Sequence, residues 1–142
     1  PNINLIEKKM SSALKYGMKR VVPFSYEEAV EKIKSSLKEQ GFGVLTEIDV
    51  KATLKNKIDQ DFTKYVILGA CNPGLAFQVL SEEIDIGLLL PCNVVVYEDP
   101  ENGETVLGVI DPEMMVQATG RTDLDVFAKS VREKLQTALD SV

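Results

Sequence analysis

Residues 65–71, YVILGAC, and 86–98, IGLLLPCNVVVYE, are apolar at consecutive positions rather than at every second one. A strand with one wet face alternates, whereas an unbroken apolar run belongs to a strand covered on both sides. Whatever this chain folds into must bury both faces of at least two strands. Pro91 lies inside the second run and removes a ladder donor, so a bulge or an unpaired edge is expected near Pro91 and Cys92.

The remaining elements fall around these two. Tyr16, Met18, Val22 and Phe24 alternate with their neighbours as a first strand. Ser25, with Glu28 three residues on, forms a capping box for a helix buried through Ala29, Val30, Ile33 and Leu37 and stopped at Gly41. GVLTEIDV, residues 43–50, reads as a second strand, and Thr53 as the cap of a short helix carrying Leu54 and Ile58. Asn72-Pro73 is a cap followed by a good first helical residue, opening a helix to about Glu83. Asn102-Gly103 signals a tight hairpin between the run 86–98 and a return strand, 104–110. Asp111-Pro112 repeats the cap-then-proline pattern before a short helix. A last helix, capped by Thr122 or Asp123, carries the stripe Leu124, Phe127, Val131, Leu135 and Leu139.

The order β-α-β-(short α)-β-α-β-β-α predicts an α+β fold: two layers, with helices on one face of a mainly antiparallel sheet. Strands joined through helices leave a mixed sheet open. Residues 1–15 read as an N-terminal extension and 16–142 as a single domain. Helices of one short chain cover one sheet face and leave the other poorly covered, so a second copy is expected there: a homodimer through the sheet side.

Charge and composition remove whole classes of function. A net charge of −6 argues against nucleic acid, and the densest basic cluster, Lys51, Lys55 and Lys57, is interleaved with Asp49, Asp59 and Asp61. No apolar run reaches the ~20 residues that span a bilayer, and no signal-peptide pattern opens the chain, so no membrane partner is expected and the location is read as cytoplasmic. The chain contains no histidine, which removes Ser-His-Asp and Cys-His nucleophiles and histidine metal ligands. Two cysteines cannot form a disulfide scaffold or, within one chain, a four-thiolate zinc site. No cofactor is implied.

Each cysteine precedes an asparagine. Cys71 stands where a strand meets a helix N-terminus, a setting that favours negative charge, and Gly74 leaves room for a ligand at the backbone. Cys71 as a small core residue, with Asn72 merely capping, is the alternative. Asn93, beside Cys92 in an apolar strand, must tie down the backbone or point into a pocket. Asp49 and Glu47, with Lys51 continuing their strand face, are the nearest acid–base candidates, or simply the polar side of an edge strand.

The runs ILGACNP (67–73) and LLPCNVVV (89–96), supported by TEIDVKATL (46–54), closely resemble the domain of unknown function 302 family, across about residues 16 to 140. The resemblance implies a small dimeric α+β fold and brings no established reaction. It also implies that Cys71, Asn72, Cys92 and Asn93 belong to one shared site, with Asp49 and Lys51 secondary. Three readings follow. A dimeric protein binding a small metabolite or anion ranks first. A thiol-redox or soft-metal protein using Cys71 and Cys92 for Cu(I) or Zn(II) ranks second. The third is an interaction module without a site. A dedicated hydrolase or transferase ranks well below both of the first two, so enzymatic activity stays undecided and the reading leans against it.

Overall fold

The computed structural model describes residues 14–142; the expected extension falls almost wholly outside them. Five strands, β1 (Gly17–Val22), β2 (Gly43–Asp49), β3 (Tyr65–Cys71), β4 (Cys92–Glu98) and β5 (Thr105–Ile110), form one sheet in the order β1-β5-β4-β3-β2. Every neighbouring pair is antiparallel, which closes the question of a mixed sheet. The helices are α1 (Tyr26–Glu39), α2 (Val50–Ile58), α3 (Pro73–Glu82), α4 (Pro112–Gln117) and α5 (Asp125–Asp140), with 3-10 turns at Ile84–Leu89 and Thr122–Leu124. Among the described residues, no helix is long and apolar enough to cross a membrane.

Register explains the core. Leu68 pairs with Val94, Val94 with Val109, and Val109 with Met18; Val66, Val96 and Leu107 form the next row. Partners across antiparallel strands share a face, so both rows point the same way, onto Ile33 and Leu37 of α1 and Leu135 and Leu139 of α5. Ser36 of α1 donates its buried hydroxyl to the carbonyl of Ala138, joining the two helices. Arg20, in the same inward register, donates to the carbonyls of Leu139 (3.0 Å) and Val142 (2.6 Å) and so ties β1 to the end of α5. The opposite sheet face carries Ile48, Ile67 and Val95 in one row and Tyr65, Tyr97, Val106 and Val21 in another. Val21 and Ile48 remain 46% and 48% exposed there.

Four expectations need correction. Residues 86–98 are not one strand: Ile84–Leu89 is a 3-10 turn, and the strand begins only at Cys92, after the cis Leu90–Pro91 peptide. Short apolar runs do not separate strand from helix by periodicity, and Leu88 in this run is 90% exposed. The short helix starts at Val50, capped by Asp49, which accepts from the Ala52 amide at 2.9 Å; Thr53 lies inside it. Neither Thr122 nor Asp123 caps α5 with its side chain; Thr122 opens the 3-10 turn and Asp123 pairs with Arg121 at 2.6 Å. In β2 the register slips between Val44 and Thr46. Val44 therefore joins the inward Ala70 while Ile48 pairs with the outward Ile67, although simple alternation puts both on one face.

Gly69 marks a close approach beside this bulge. A methyl group there would collide with the Thr46 hydroxyl and lie 2.8 Å from Pro91 Cγ. Gly69→Ala is expected to destabilise the fold by about 1–3 kcal/mol, and adding Thr46→Ala should recover part of the loss. Urea unfolding of the wild type, both single variants and the double variant measures the recovery.

Candidate functional site

A cavity of about 370 Å³ opens where β2 begins, β3 ends and β4 begins. Its floor is Ala70 and Cys92, a register pair on the inward face, together with Met115 of α4 and Val131 of α5. Leu75, Ala76, Val79 and Leu80 of α3 form one wall, and Ile86 of the following 3-10 turn extends it. Leu45 and Thr46, at the β2 bulge, and Pro91 stand at the exposed mouth.

Local sequence explains the wall. Asn72 caps α3 by accepting from the Leu75 amide at 3.2 Å, and its own carbonyl accepts from Ala76 at 2.9 Å. Pro73 has no N–H. The first turn thus has one free amide, that of Gly74, and Gly74 is exposed and outside the cavity lining. A sequence that caps its helix this well has little left with which to bind an anion there.

The sequence-chosen residues separate into three places. Cys71, Asn72 and Cys92 line the cavity. Asn93 lies on the opposite sheet face, since period-two alternation carries it away from Cys92; it borders a hollow shared with Lys19, Tyr65 and Tyr97. Tyr65 and Tyr97 stack there, with ring centres 5.1 Å apart. Asp49 and Lys51 border a third, polar hollow at the other end of the sheet, where Lys51 donates to the Phe62 carbonyl at 2.8 Å. Met115, Phe127 and Ala128 also line the cavity; they come from elements remote in the chain and carry no motif, whereas Thr46, which lines it too, opens the run 46–54.

Electrostatically the cavity is bare. No charged side chain lines it among the described residues, and no group of three or more Cys, Asp and Glu is placed to hold a metal. Both cysteines are free thiols. Burial pushes the Cys92 thiol up to about 11, and the neighbouring Cys71 adds in the same direction. Cys92 is 7% exposed and Cys71 half-buried. Thiol chemistry here has one accessible group.

Residues 18–142 match the family model described as domain of unknown function DUF302. The chain belongs to the DUF302 family. The match runs from the second residue of β1 to the last residue, so it includes all of the sheet but Gly17 and every wall of the cavity. A solved structure, that of an uncharacterized conserved DUF302 protein from Bacillus stearothermophilus, is similar at 34% identity and a TM-score of 0.84, covering 90% of this chain and 98% of that one. No curated protein matches. DUF302 membership thus accounts for the fold and leaves the activity to be argued from the site.

Two outcomes follow for the thiols. Iodoacetamide should label Cys71 well before Cys92 in the folded protein; equally slow labelling of both would contradict this environment. Cys92 keeps its proton in the folded chain after an unfolded thiol, with its ordinary value near 9, has lost it. Stability should therefore fall by about 2–3 kcal/mol as pH rises from 9 to 11, with no contribution below 9. Denaturant titrations across that window should be flatter for Cys92→Ala.

Proposed function

We propose that this DUF302 protein is a homodimeric binding protein for a small, largely apolar molecule held in the cavity beside Cys71 and Cys92. The observation that carries the proposal is the cavity itself. At about 370 Å³ it lies within the ~300–1,000 Å³ of small-molecule sites. Its walls are apolar side chains from β2, β3, α3, β4, α4 and α5, with a few polar atoms at one end.

The dimer rests on the outward sheet face. Rows containing Ile48, Ile67 and Val95, and Tyr65, Tyr97 and Val21, are half-exposed, as an interface awaiting a second sheet would be. A reducing, cytoplasmic location belongs to the same reading and agrees with two free thiols.

The thiol-redox reading has less support. Cys92 is buried and its thiol is pushed up to about 11, which disfavours the thiolate that disulfide exchange and soft-metal binding use.

Binding is measured with the neutral, apolar fluorophore N-phenyl-1-naphthylamine. One saturable site per chain is expected, weakened at least tenfold in Ala76→Trp, which fills the cavity. No saturable binding to the wild type would remove the ligand reading. For assembly, light scattering at low micromolar concentration should give the mass of a dimer, shifted to monomer by Val95→Lys; a clean wild-type monomer would remove the dimer.

A further inference from the structure

The buried side chains form two separate clusters. The larger joins the sheet to α1 and α5; the smaller contains Val79, Ile86, Val116, Leu124 and Ala128. The cavity is the gap between them: Ala70, Cys92, Met115 and Val131 from the larger cluster face Val79, Ile86, Val116 and Ala128 from the smaller. Such a gap leaves its lining without dispersion partners on one side. α3 pays most heavily, since Val79 is its one fully buried residue and Leu75, Ala76 and Leu80 remain half-buried along the cavity.

Polarity inside the gap is confined to one end. Asn72 uses its Oδ1 on the Leu75 amide, so its Nδ2 donor, lying against Gly41, has no partner among the described residues. The Thr46 hydroxyl lies over Gly69 on the outward sheet face, away from the hydrocarbon lining. Toward Val116, Phe127 and Ala128 the lining is hydrocarbon alone. A carboxylate drawn into this space meets no Lys or Arg, and an ammonium meets no Asp or Glu; either would be an unpaired charge leaving water. The free amide of Gly74, outside the lining, cannot serve in their place.

We infer that the ligand is an uncharged amphiphile with a single hydrogen-bonding head, held at the Asn72 end, and a hydrocarbon body that fills the gap between the two clusters. This inference rests on the cavity being a binding site. It excludes fatty carboxylates and small anions as the preferred occupants and favours neutral species such as long-chain alcohols. Bound this way, the hydrocarbon adds contacts between two clusters that the protein bridges only through Leu89, Leu90 and Phe127, so binding should also raise the melting temperature.

Calorimetry on the full chain tests the inference with 1-octanol, octanoate and octylammonium, each below its aggregation concentration, and with melting curves in parallel. Octanol is expected to bind and raise the melting temperature, with a Kd at least tenfold below that of either charged analogue. Asn72→Asp, which keeps a capping oxygen but replaces the donor with a charge, should weaken octanol severalfold while leaving the ligand-free melting temperature nearly unchanged. Octanoate or octylammonium binding as tightly as octanol would overturn the inference and leave the cavity reading standing. Failure of all three to bind would overturn both.

Discussion

The row Met18–Val109–Val94–Leu68 crosses four strands and lies beneath α1 and α5, and the rest of the molecule takes its position from that contact. Burial of such a row is the main stabilising term in a domain of this size, worth roughly 1.5–3 kcal/mol per large side chain. It also sets direction. Once Leu68 and Val94 face the helices, period-two alternation sends Ala70 and Cys92 inward with them and Gly69 and Asn93 outward. The cavity floor and the open face are consequences of one register.

What the row does not reach is the segment from Asn72 to Leu90. α3 and the 3-10 turn after it enter and leave the sheet at adjacent strand ends, 71 and 92, so they can only hang beside its end. Arg121 pins that segment from α4's side, through Glu83 at 3.5 Å, Glu82 at 3.6 Å and the Glu82 carbonyl at 2.5 Å. These contacts are at the surface, where ion pairs contribute little. They hold the outer edge, while on the inner edge Leu75, Leu89 and Leu90 reach the main core and leave a gap beside them. An apolar cavity is the natural outcome of a lid that is tethered at its rim and under-packed beneath.

Legibility in the sequence followed the range of the interaction. Ser25, Asn72 and Asp111 act as caps because a side-chain oxygen two or three residues from a free amide is a local matter. The capping role of Asp49 is masked because Asp49 is also the last residue of β2 and fits that strand's polar alternation. The Cys-Asn pairs were legible as a pair of special places, yet only three of their four residues meet in one cavity. Asn93 was lost to the other face by a single alternation step.

The sequence by itself determined the class of fold, the order of elements, the absence of histidine chemistry, and the strand-to-helix junction at Cys71–Asn72. Each rests on periodicity, composition or a contact within one turn of chain. Tertiary structure alone decided that every strand pair is antiparallel, that Asp49 and Lys51 stand apart from the cysteines, and that the space beside Cys92 is apolar and uncharged. The reason is physical. A cavity is bounded by residues from six strands and helices and a 3-10 turn, whose only common property is where the register and the helix docking place them, and no local pattern encodes a gap.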